Sequence, residues 1–208
     1  MNWSRLICIA VIVSFVGSYS FAPTVGHAAD SPKNTLFMKG QFLVASKKMP
    51  DPRFAKTVIL MVHHDETGAQ GFVINKAFGR GPLAKLLKGF GITSTTTQET
   101  VGLYYGGPVE LSLAAVLHSP DYKGVSTKKI SNNLAWSNHK NVLSAIAEEK
   151  GPAKRVFILG YSGWSPGQLE GEMAREMWFT APADAELIFD KDPKTLWDRI
   201  IAKAGVKL

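Results

Sequence analysis

Ser162 stands in the stretch GYSGWSPGQLEGEM, residues 160–173, two residues after one glycine and one before another. An apolar strand leads into this stretch and a helix follows it. A nucleophile elbow for acyl transfer has that layout, G-x-S-x-G at a strand-to-helix turn, with its histidine later in the chain. Here Trp164 occupies the second glycine position, and His27, His63, His64, His118 and His139 all precede Ser162. The ordinary hydrolase order is therefore excluded. Triads are defined by geometry, not chain order. A hydrolase-like site using Ser162 or the His63/Asp65 region thus stands as the alternative to a tight turn that needs a small residue.

The run HHDE, residues 63–66, has metal-ligand residue types. Neighbouring side chains on a strand point to opposite faces, so His63 could share a face with Asp65, or His64 with Glu66, and a third ligand such as His118 would still be needed. The reading is histidines that cap strand ends, with no metal and no cofactor. Glu172 and Glu176 share a helix face four residues apart, which reads as a solvated face rather than a catalytic pair. Gly106-Gly107-Pro108-Val109 lacks the spacing of a phosphate loop or a dinucleotide fingerprint.

The elements that must position these residues read as follows. GQFLVAS (40–46) and TVILMVHH (57–64) are strands around the KKMPDPRF turn, where two prolines flank Asp51. The stretch DETGAQ turns the chain into GFVINK, and the pair forms a hairpin. Gly81-Pro82 opens a short helix. VGLYYGG and LSLAAVLHS flank the GPVE turn as strands, although the alanines leave the second open to a helical reading. Residues 138–150 form a helix, and RVFILGY (155–161) is a central strand. Ser165 and Gln168 have the spacing of a capping box, with Pro166 at the first helical position. Trp178–Pro182 and AELIF (185–189) read as short strands, and Asp192-Pro193 starts a last helix. Hairpins mixed with helical crossovers argue one α/β or α+β domain.

With 208 residues, 45% hydrophobic and 20% charged, the composition is that of one well-filled globular domain. Residues 1–28 differ from the rest. A positive start through Arg5, an apolar run of about 11 residues and Gly26-His27-Ala28 match a secretory signal peptide. The run is too short to span a bilayer. Residues 1–28 therefore read as a leader, 29–38 as a linker and 39–208 as the domain, with a periplasmic or secreted location expected and no membrane span after cleavage. Cleavage would remove the single cysteine, Cys8, and leave 23 basic and 17 acidic residues, a net +6. That charge is spread along the chain, so no dedicated nucleic-acid patch is indicated.

The stretches GQFLVASKKMPDPRFAKTVILMVHHDETGAQGFVINK, GGPVE, VLHS and GYSGWSPGQLEGEM, in this order, resemble the YqgE/AlgH family, also called UPF0301 or DUF179, over about residues 39–205. The resemblance implies a single compact domain with a mixed, partly barrel-like β-sheet flanked by helices. It implies no established enzyme activity; one branch is named as a regulator of alginate synthesis. The family pattern carries alanine where Ser162 stands, and a proline where Ala77 follows Asn75-Lys76. Its members are typically cytoplasmic and lack the leader. The resulting expectation is a non-catalytic binding or regulatory module for an unknown protein or a small anionic ligand. Its candidate surface is Asp51 and Arg53 of the DPRF turn, Asn75, Gly106 and Gly107, and Ser162, Gly163, Trp164 and Gln168.

Overall fold

The computed structural model describes residues 37–94, 99–138, 140–189 and 192–204. The expected leader, most of the linker, and His27 and His139 lie outside them. Among the described residues no helix is long and apolar enough to cross a membrane.

Ten strands form one mixed sheet that does not close on itself. In the first half, β1 (Gln41–Ala45), β2 (Val58–Asp65), β3 (Gly68–Val73) and β10 (Trp178–Pro182) run in the order β10-β1-β2-β3, all antiparallel. The second half holds β4 (Ala77–Pro82), β5 (Thr100–Tyr105), β6 (Val109–His118), β7 (Lys128–Ser131) and β8 (Leu134–Ser137). Strand β9 (Arg155–Trp164) belongs to both halves. Residues Phe157–Leu159 pair parallel with β5, while Ser162–Trp164 pair antiparallel with β3. Strand β6 takes the other edge of β9.

The core follows from the period-two alternation of these strands. Phe42, Leu60, Phe72, Leu117, Trp136 and Ile158 fill the interior between the two halves, with Trp197 and Ile200 from the C-terminal helix α5 (Leu196–Ala204) packed into it. The outer face of the first half is covered by Leu169 and Met173 of α3 (Gln168–Ala174) and by Met49 and Phe54 of the β1–β2 loop. The outer face of the second half is covered by α1 (Leu83–Gly89) and α2 (Lys140–Ala147) through Leu83, Leu87, Val142 and Ile146. Strand β9 has buried residues along most of its length because both halves close over it.

Several expectations are corrected. AELIF is not a strand: Asp184 accepts a hydrogen bond from the Glu186 N–H and starts helix α4 (Ala185–Ile188). LSLAAVLHS is strand as read, and its helical alternative falls away. The first hairpin turns tightly at Glu66-Thr67, so β3 begins at Gly68, earlier than expected. Strands β4, β7 and β8 have no counterpart in the sequence reading.

The crossing of the two halves rests on three glycines. The Gly106 N–H donates to the Leu159 carbonyl of β9 at 2.8 Å, and the Gly106 carbonyl accepts from the Val73 N–H of β3 at 2.8 Å. One residue thus bonds both strands where β5 ends and β3 begins to pair with β9. A methyl group on Gly106 would meet the Gly160 carbonyl at 2.3 Å, and one on Gly107 the Tyr161 backbone at 2.2 Å. Gly160 itself has φ +72°, and a Cβ there would meet the Gly107 carbonyl at 2.6 Å. Gly160→Ala should therefore lose about 2–4 kcal/mol in urea unfolding, from the left-handed conformation and the backbone clash together. Gly171→Ala, in α3 with open space around it, should gain a few tenths to about 1 kcal/mol. Equal stability of Gly160→Ala and the parent would contradict the crossing as described.

Candidate binding surface

Ser162 does not sit at a strand-to-helix turn. It lies inside β9, is 1% exposed, and its hydroxyl donates to the Gly106 carbonyl at 3.3 Å. The register places His63 opposite Gln70, and Gln70 opposite Gly163. Ser162 is one residue out of that row, so Ser162 and His63 project from opposite faces of the sheet. The His63 ring is exposed and pairs with Asp65 at 3.1 Å. Asp65 also accepts from the N–H and hydroxyl of Thr67, at 2.7 and 2.6 Å, and so caps the hairpin turn. Those contacts hold its carboxyl below the usual range.

The other two described histidines are buried and committed. The His64 Nδ1 accepts from the Met38 N–H at 3.2 Å, which places its proton on Nε2, where it donates to Glu170 at 2.9 Å. His118 forms the only buried serine–histidine contact among the described residues. Its Nδ1–H donates to the Ser119 carbonyl at 2.7 Å, leaving Nε2 to accept from the Ser137 hydroxyl at 3.0 Å. The Ser137 oxygen accepts in turn from Thr127, also at 3.0 Å, and Thr127 accepts from the Gly124 N–H at 2.9 Å. Every member of this chain has its partners. His118 and Ser137 are both 0% exposed, so the chain locks β6 to the β7–β8 hairpin and offers no atom to a substrate. Among the described residues no three His, Cys, Asp or Glu side chains group so as to hold a metal ion.

Trp164 is a core residue, not a wall of the surface. It is 8% exposed, its indole N–H donates to Glu172 at 2.9 Å, and its ring meets Trp178 edge-on at 6.1 Å. Trp178 donates to the same Glu172 oxygen at 2.7 Å. Glu172 is thus a shared acceptor for two buried indoles, a role the solvated-face reading missed. The helix start behind Trp164 departs from the expected capping box in one half. The Ser165 N–H donates to the Gln168 side chain at 3.1 Å, but the return bond goes to the Ser165 carbonyl rather than its hydroxyl. Gly167, at φ +74°, takes the N-cap position, so the helix opens at Gln168 instead of Pro166.

Asn75 is also buried. Its Oδ1 accepts from the Val58 N–H at 2.9 Å and its Nδ2 donates to the Lys56 carbonyl at 2.8 Å. These bonds pin the end of the DPRF turn, where Lys56 has φ +52°. Of the nine sequence candidates, Asn75, Gly106, Gly107, Ser162 and Trp164 therefore lie beneath the surface. Gly163 and Gln168 are exposed on the side of β9 and α3. Asp51 and Arg53 are at the surface, joined by a two-pronged ion pair whose shortest contact is 2.7 Å. That bond lowers the Asp51 pKa and raises that of Arg53.

Strand order brings two further residues to this pair. The Lys76 ammonium donates to the Arg53 carbonyl. Partial burial lowers the Lys76 pKa, against the pull of Asp51. The Tyr105 N–H donates to the Lys76 carbonyl at 2.8 Å, and the Tyr105 ring meets Phe78 edge-on at 5.8 Å. Arg53 also lies 5.9 Å from the Phe54 ring centroid, and Phe54 packs edge-on against Trp178 at 5.7 Å. The result is a cationic and aromatic surface of Arg53, Lys76, Phe78 and Tyr105, footed on the buried tryptophan pair.

The model of the family described as DUF179, AlgH-like, matches residues 42–208. The chain belongs to this family. A UPF0301 protein of Methylococcus capsulatus is 46% identical over 177 residues, covering 85% of this chain and 97% of that one. One from Sphingopyxis alaskensis is 40% identical over 167 residues, 80% of this chain and 89% of that one. The solution structure of the AlgH protein from Pseudomonas aeruginosa superposes with a TM-score of 0.72 at 38% identity, covering 83% of this chain and 92% of that one. A protein of Corynebacterium diphtheriae shares the fold, with a TM-score of 0.61 at 23% identity over 80% of this chain and 86% of that one. The mixed sheet with flanking helices is thus the AlgH-like fold.

The His118 chain makes a pH prediction. Burial holds this imidazole below its ordinary pKa, so the folded state resists a proton that the unfolded chain accepts. Its contribution is complete above about pH 6.5 and is lost as pH falls from there towards the folded pKa. The urea midpoint should drop over that window, and His118→Gln should flatten this part of the slope. An unchanged slope in the variant would contradict the buried neutral histidine.

Proposed function

We infer that this AlgH-like chain is a non-catalytic binding module that takes an anionic group, from a small ligand or a partner protein, on the surface of Arg53, Lys76 and Tyr105. One observation carries the reading: half-buried Lys76 sets its ammonium against the Arg53 carbonyl, in the same turn whose Arg53 guanidinium is anchored on Asp51, on backbone that Asn75 and Gly106 hold in place. A partly desolvated cation with hydrogens to spare binds anions more strongly than a solvated one. Arg53 commits its Nε and Nη2 to Asp51, which orients the guanidinium and leaves Nη1 for a ligand oxygen. Rigid footing matters because no binding free energy is then spent on ordering the loop.

Titration with sulfate, followed through backbone amide shifts, tests this. Shifts should cluster at residues 51–56, 76 and 105. Lys76→Met and Arg53→Gln, each folded by circular dichroism, should each weaken sulfate about tenfold or more, the worth of a hydrogen bond to a charged group. Shifts centred elsewhere, or unchanged affinity in Lys76→Met, would overturn the assignment.

A further inference from the structure

Strand β4 lies at an edge. Among the described residues it pairs only with β5, and five of its six residues are exposed. Beside it runs a groove of about 290 Å³, floored by Val101, Leu103 and Leu86 and flanked by Phe78 and Pro82, with Arg80 and Lys85 on its rim. Phe78 is 59% exposed, an unusual setting for so large an apolar side chain. A Cβ added at Gly79 or Gly81 would meet nothing within 4 Å; the backbone at Gly79, with φ +148°, calls for glycine, whereas that at Gly81 does not, so Gly81 leaves the groove open. Neither glycine is required by close packing from the protein itself.

The chain segment that forms this edge carries charge of one sign, and Glu99, just before β5, is paired with Arg155. Between Glu66 and Glu99 the chain has no acidic residue, while Lys76, Arg80, Lys85 and Lys88 fall within that span. Arg80 reaches across to the Thr100 carbonyl at 3.0 Å, which holds its guanidinium at the rim. Exposed strand edges are normally guarded against pairing by charge, by proline or by a bulge. Strand β4 has Pro82 at its end and a bulge between Ala77 and Gly79, so only a short ladder can form. Its positive rim repels a second copy of the same basic edge and attracts a negative chain.

We propose that β4 is a docking edge for an extended acidic peptide segment of a partner protein, which adds as a short strand and places one apolar side chain in the groove. Backbone hydrogen bonds along the edge supply affinity, as in strand addition generally, and the groove and rim select the sequence. The carboxylates of the segment meet Arg80 and Lys85, and its apolar residue meets Phe78 and Leu86. This site shares Phe78 with the surface proposed around Lys76, which it meets through the Phe78–Tyr105 ring contact, but its groove and rim residues are its own.

The test uses the whole chain and a short labelled peptide alternating valine with glutamate, read by fluorescence anisotropy. Three controls accompany it: the same peptide with lysine for glutamate, the same peptide with methylated backbone nitrogens, and sedimentation of the protein alone. The acidic peptide should bind, more weakly as salt rises, and the lysine and N-methylated forms should not. Gly81→Val, which fills the groove from an ordinary strand conformation, should weaken binding at least tenfold while sulfate still shifts the amides at Lys76. Arg80→Glu combined with Lys85→Glu should do the same. The proposal is overturned if the acidic peptide fails to bind, if the lysine or N-methylated peptide binds as well, or if Gly81→Val binds like the parent. Self-association of the chain that Gly81→Val abolishes would assign the edge to a second copy and overturn it equally.

Discussion

Gly106, Gly107 and Gly160 bring backbone against backbone where β5, β3 and β9 meet, closer than any Cβ would permit. Almost everything else follows from that approach. It lets one strand serve two half-sheets, so that the interior between them can be filled by Phe42, Phe72, Trp136 and Ile158. It turns Gly106 into a bridge from Leu159 to Val73. Ser162 is small for the same reason: its side chain sits against the Gly106 carbonyl, where a larger one would push the glycine turn away.

The groups with chemical potential have been drawn into this framework. His64 ties residue Met38 to Glu170 of α3, and His118 ties β6 to the β7–β8 hairpin. Glu172 satisfies two indoles that would otherwise be buried without partners, each of which would cost about 1–3 kcal/mol. A buried histidine with both ring nitrogens occupied has no lone pair or proton left for a substrate. The loops outside the framework carry the groups that still do: the Arg53 guanidinium, the Lys76 ammonium and the basic edge of β4. Rigid support below, and cations above that are each oriented by one partner and keep further N–H groups, suit the proposed recognition surface.

Much of this architecture is legible in the sequence, for identifiable reasons. Strands β1, β2 and β9 are long apolar runs with β-branched residues, and the DPRF turn is marked by its prolines. Strand β4 is not legible, because glycines and exposed residues remove the alternation that marks a strand. AELIF misleads because four of its five residues are apolar, while the deciding feature is the Asp184 cap before it. At the surface, Asp51 and Arg53 are readable as local turn chemistry. Lys76 and Tyr105 are not, since only the pairing of β4 with β5 and the path of the chain past Gly106 bring them to Arg53. The acid-free span between Glu66 and Glu99 is the sequence signal that marks this side of the molecule.

Ser137, Ser162, His64 and His118 serve the framework, and the recognition chemistry proposed for this chain lies instead on its outer cations. The most direct measurement is labelling of the folded protein with a fluorophosphonate, which forms a covalent bond only with an activated serine hydroxyl, followed by peptide mapping. No adduct is expected at Ser162 or Ser137 under conditions that fully label a serine hydrolase. A stoichiometric adduct at either serine in the folded chain would contradict it.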